Sequence, residues 1–176
     1  MSYFNKFPQV AIDVKGDTDL VMLTDITRKV RFSDLAKQNY IQYDFYDVVA
    51  GETPEYVASE FYGDPKLHWI VLMANDIIDV YDDWPMSVQN FETYVTEKYD
   101  DVNDIHHYEV YQESGDTSKV IEIPFDPSNT IPVDAVTITN YEYEDNLQQK
   151  KRRIRLVKKQ YVNTIKQELK SRLSGN

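Results

Sequence analysis

Three groups of residues in this chain have types and spacings that could do chemistry. His106 and His107 are adjacent donors of the kind that hold zinc. On a strand, however, neighbouring side chains point to opposite faces, so the pair offers one ligand to any one site and the expectation is no metal. His68 lies beside Trp69 with no second histidine at helical spacing, and is expected to be structural. Asp79, Asp82 and Asp83 cluster in "DVYDDW". They lack the spacing and the glycine of a calcium-binding EF-hand loop, which leaves a solvated acidic rim as the expectation. With no cysteine in 176 residues, neither disulfides nor thiolate catalysis are open to this sequence. It also has no G-x-S-x-G, no glycine-rich phosphate loop and no H-E-x-x-H. The expectation is a protein that is not an enzyme and holds no cofactor.

The third group is the basic run "KKRRIRLVKK" near the C-terminus. Residues 150–176 hold ten Lys and Arg against one Glu, a net of +9, whereas the first 149 residues hold nine against 29 acids, a net of −20. A body this acidic repels nucleic acid and anionic membrane, and the basic run has no interleaved aromatics on which bases could stack. Arginine forks instead suit carboxylates, of an acidic partner or of this chain's own acidic body, so protein contact is expected, with Arg152, Arg153, Arg155 and Tyr161 as candidate contacts. The N-terminus has no long apolar stretch with a cleavage signal, and nowhere do 18 apolar residues run together. Neither secretion nor a membrane span is expected.

The elements that would position these residues follow from periodicity and punctuation. Residues 1–21, broken by Pro8, Gly16 and "DTD", read as an arm. Thr24 and Ser33 are capping candidates in a short mixed segment, and "YIQYDFYDVV", residues 40–49, reads as a strand ending at Gly51. Thr53 and Pro54 open a helix that Gly63 stops, with Val57, Ala58, Phe61 and Tyr62 at helical spacing. Asp64 and Pro65 open a second, whose apolar face is Leu67, Ile70, Val71 and Ala74, widened by Trp69 and Met73. An acidic aromatic loop precedes a third helix from Ser87 to about Tyr99. Strands near 106–112 and 119–123 form a hairpin around Ser114-Gly115-Asp116, and Pro124, Pro127 and Pro132 mark a loop. "EYEDNLQQKK" reads as helix and "RRIRLV" as an extended segment. Tyr161, Ile165, Leu169 and Leu173 then step by four along a last helix.

Strand, "GET", helix, "FYGD", helix with Trp69, then Asn75 is the order of a LysM domain, and "YGDPKLHWIVLMAND" resembles the LysM-like proteins of contractile phage tails. "LTDITR", "NDIIDVYDDWPMS" and "YEYEDNLQQKKRRIRLVKKQYV" extend that likeness to the baseplate wedge subunits of T4-like phages. It covers residues 22–100 and, more loosely, 140–173. The resemblance implies a LysM-like, βαα-type core at 40–100, and with the elements read above the expectation is an α+β fold that adds an N-terminal arm and short helices at 1–39, a β-hairpin and Pro-rich loop at 101–139, and a basic helical arm at 140–176. It implies a structural subunit of the virion's tail baseplate, assembled in the host cytoplasm. Its partners would be other wedge proteins, the sheath-initiating subunit and copies in neighbouring wedges. The alternative is a LysM-type module that binds peptidoglycan or chitin. Tyr62, Trp69, Tyr81 and Trp84 would be its stacking aromatics, yet aromatics bury large areas wherever they occur, and packing or protein contact is the favoured role. Trp69, Tyr81 and Trp84 therefore join the candidate partner contacts.

Overall fold

A computed structural model describes residues 3–16, 18–28, 30–32, 42–114, 117–128 and 130–174. Ser33 as a cap, the first two residues of the 40–49 strand, and Gly115-Asp116 lie outside the described residues. The chain is α+β, with six helices and three small antiparallel sheets among those residues. It divides into two compact units, residues 1–84 with 153–176, and residues 85–152.

The first unit is built on a strand, two helices and a strand that returns from far downstream. β3 (Tyr43–Asp47) pairs antiparallel with β7 (Arg153–Val157), setting Phe45 opposite Arg155. Between them in sequence come α1 (Pro54–Tyr62) and α2 (His68–Ala74). The Thr53 side chain accepts from the Tyr56 amide, Pro54 sits where its missing N–H costs nothing, and Gly63 closes α1 at φ +76°, a left-handed conformation that favours glycine. Asp64 caps the 3-10 turn Pro65–Leu67 that leads into α2. Every apolar residue expected on the inner face of α2 is buried, Ile70, Val71 and Ala74 completely so. They pack with Ile154, Leu156 and Val157 of β7 and with Val162, Leu169 and Leu173 of α6 (Val162–Ser174) in one core.

Residues 3–24 differ from an unstructured arm. Tyr3–Lys6 is a 3-10 turn, and β1 (Gln9–Asp13) and β2 (Leu20–Thr24) form a hairpin. The Tyr3 ring lies 5.0 Å from Phe7 and 5.4 Å from Trp69, and Phe7 is buried in the core. Aromatic clustering at Tyr3, Phe4 and Phe7 anchors the segment despite the missing periodicity. A second difference is the acidic loop, which contains a single helical turn, α3 (Val80–Asp83), capped by Asp79.

The second unit holds α4 (Val88–Lys98), capped by Ser87, and a three-stranded sheet. In it β4 (Ile105–Ser114) lies between β5 (Thr117–Pro124) and β6 (Val136–Thr139). The hairpin stands where its alternation places it, with longer strands, while β6 occupies the end of a stretch read as loop. α5 (Asn140–Arg152) follows β6 through a reciprocal cap: Glu142 accepts from the Thr139 amide at 2.9 Å and the Thr139 hydroxyl accepts from the Glu142 amide at 3.2 Å. The basic run is therefore shared, with Lys150–Arg152 ending α5 and Arg153 beginning β7. The reason is pairing: the alternating Ile154 and Leu156 complete the sheet with β3, which places 153–176 in the first unit.

Candidate docking surfaces

The motif residue that organises the first unit is Asn75, at the C-terminal end of α2. Its Nδ2 donates to the carbonyls of Val71 and Arg155, and its Oδ1 accepts from the Arg155 amide, all at 2.8 Å. One side-chain amide thus does for β7 what a neighbouring strand would do, because the Arg155 N–H and C=O point away from β3. Glu52 plays a similar part on the other side. Its carboxylate accepts from the Tyr46 hydroxyl and the Val49 amide, each at 2.9 Å, and its carbonyl accepts from Trp84 Nε1 at 2.7 Å. Gly51, at φ +91°, makes that turn possible. Burial, followed by the Glu52 hydrogen bond, pushes the Tyr46 hydroxyl up to about 12.

Of the residues singled out for partner contact, Trp69 and Trp84 are only 5% exposed. Their indole areas are used inside the fold. Tyr62 is half-buried, and burial raises its pKa; Tyr81 alone of the four aromatics stands out into solvent, at 89% exposure. Arg153 lies over the Phe45 ring at 5.2 Å and Arg155 over the Tyr43 ring at 5.7 Å, cation–π contacts on one face of the β3–β7 pair. Arg152 is half-buried at the end of α5, and Tyr161 packs against the core. Of the three arginines, Arg153 and Arg155 lie on a strand of the first unit and Arg152 ends a helix of the second.

Sequence reading missed two apolar surfaces. On the β1–β2 hairpin, cross-strand neighbours Val10 and Leu23, and Ile12 and Val21, project to one face, and all four are exposed. Leu20 and Met22 project to the other face and are exposed as well. The alternation of Val10 and Ile12 was a usable signal, hidden because Leu20–Leu23 is apolar throughout. The second surface is a cleft of about 680 Å3, floored by Trp69, Leu72 and Met73 and walled by Tyr3, Phe4 and Ile26. Arg28 and Arg31 also line it. Unit two, by contrast, has a polar interior feature: Glu144, buried beside α4, accepts from Lys98 at 2.7 Å and Tyr99 at 2.8 Å. That hydrogen bond, more than the Coulomb attraction, holds the Lys98 ammonium well above its ordinary range.

An α+β scaffold whose motif residues build its interior, and which leaves a bare apolar hairpin outside, has the form of a structural subunit. The chain belongs to the base plate wedge protein 53 family, whose model matches residues 1–133. A relative, the baseplate wedge protein gp53 of Enterobacteria phage T4, is 29% identical over 103 residues, which cover 57% of this chain and 52% of that one. The chain thus matches about half the length of that curated relative. Among the described residues no helix is long and apolar enough to cross a membrane.

Proposed function

We propose that this chain is a non-enzymatic wedge component of a phage tail baseplate that docks on other wedge proteins through its β1–β2 hairpin. The observation that carries the reading is the exposed apolar face of Val10, Ile12, Val21 and Leu23. A two-stranded hairpin is marginal in water, and monomeric proteins rarely leave such patches bare, so the face is one that assembly covers. Family membership supports association with other baseplate proteins. In this reading the partners are other wedge proteins, with the sheath-initiating subunit and copies in neighbouring wedges as further contacts, joined in the host cytoplasm. Arg153, Arg155 and the exposed Tyr81 offer further polar and aromatic contacts to a partner. The β3–α1–α2–β7 order supports a LysM-like core whose closing strand is separated from its helices by the second unit. Burial of Trp69 and Trp84 argues against a sugar-stacking groove built from them.

The test mixes purified wedge subunits with this chain and follows co-elution by size exclusion. Val10→Asp with Leu23→Asp should abolish co-elution while the near-UV spectrum of the free chain is unchanged. Normal assembly by that variant would overturn the docking assignment.

A further inference from the structure

We propose that His107, Glu109 and Glu122 form a binding site for a divalent transition metal of the zinc type, pinning β4 to β5. The three side chains each place a potential ligand atom within 4.8 Å of the others. Their register explains this. Glu109 and Glu122 are directly opposite each other across the β4–β5 ladder, and His107, two residues before Glu109, projects to the same face. Two carboxylates facing each other across a sheet repel, and among the described residues Glu109 has no ion-pair partner besides His107, while Glu122 has none.

The independent observation is the state of His107. Its side chain is only 7% exposed, yet its Nε2 finds no hydrogen-bond partner among the described residues. That nitrogen points at Glu109, 3.4 Å from Oε1, outside good hydrogen-bond range. A separation of about 3.4 Å is what two ligands keep around a tetrahedral ion bonded at about 2.1 Å. Glu122 is exposed and free to close the remaining distance by a change of rotamer.

The ring is oriented from behind. The β4–β6 register slips between Ile105 and His107, so His106 is an extra residue, and the two histidines do not simply face opposite sides. Their Nδ1 atoms meet at 2.8 Å, and His106 stacks on Tyr143 of α5 at 3.8 Å. With His107 donating from Nδ1 to His106, its Nε2 carries a lone pair toward the two carboxylates. This is the arrangement in which a metal-binding histidine is held by a neighbour that accepts its other N–H. Imidazole with two carboxylates, leaving room for water, suits zinc, cobalt or nickel better than calcium, which takes six or more oxygens.

The test uses the full chain, stripped with chelator and titrated with zinc chloride by calorimetry. One saturable equivalent is expected, along with a rise in thermal midpoint and a zinc-dependent shift of the His107 Nε2 resonance. Glu122→Gln, at an exposed position that leaves the fold intact, should weaken binding at least tenfold, and Glu97→Gln on α4 should not change it. Failure to bind, or wild-type affinity in both Glu109→Gln and Glu122→Gln, overturns the proposal, since the ion would then sit among the other acids. If His107→Gln does not fold, the Glu122→Gln comparison and the resonance shift still decide it.

Discussion

At the scale of single residues, side-chain amides and carboxylates finish a backbone that two short strands leave incomplete. Asn75 satisfies both polar groups of Arg155. Asn75→Ala removes both of these hydrogen bonds at a part-buried site and should cost about 3 kcal/mol, measured by urea denaturation. A loss under about 1 kcal/mol would mean that water replaces the amide. Tyr46 carries a pH dependence of definite sign. Its pKa is higher folded than unfolded, about 12 against 10.0, so the unfolded chain ionises first as pH rises. The stability it contributes is therefore complete below pH 10.0 and is lost on the way to about 12. The urea midpoint of the wild type should fall more steeply than that of Tyr46→Phe between about pH 9 and about pH 11.5. Parallel curves would show that Tyr46 does not couple its ionisation to folding.

At the scale of elements, α2 is the centre of the first unit and α5 depends on its cap. Ile70 is fully buried, and Ile70→Ala should cost about 2–5 kcal/mol by chemical denaturation. Thr139→Ala breaks the reciprocal cap with Glu142 at the start of α5 and should cost about 1 kcal/mol. The caps on α1 and the turn after it were legible in sequence as Thr53 and Asp64, and the start of α4 at Ser87, because a helix start is specified by the residues adjacent to it. β6 and the β1–β2 hairpin were not. A strand of four residues beside prolines, and a hairpin whose second strand is apolar on both faces, offer too few alternations to set against loop.

At the scale of the whole chain, the C-terminal segment belongs to the fold of the first unit. β7 is the only strand paired with β3 among the described residues, and Leu156 and Leu173 are almost completely buried. A chain ending at Arg152 should lose amide-exchange protection throughout residues 43–74, whereas charge reversal at the exposed Arg153 alone should preserve it. Retained protection after truncation would show that β3, α1 and α2 hold together without their returning strand.

The sequence by itself determined most helices, the β4–β5 hairpin, the extended segment "RRIRLV", the absence of thiol chemistry and the likeness to baseplate wedge subunits. These depend on adjacent residues: caps, stops, periodicity and the order of short motifs. Tertiary structure decided which extended segments pair, and that in turn decided everything about the sites. Arg155 meets Asn75 across 80 positions, and Trp84 meets Glu52 across 32. Only such contacts reveal that Trp69 and Trp84 face inward, that the basic run is divided between two units, and that a one-residue slip in β4 brings His106 to His107. Local sequence records which face of an element is apolar. What covers that face, or leaves it bare as on β1–β2, is settled by segments far away in the chain, because burial is a property of the packed whole.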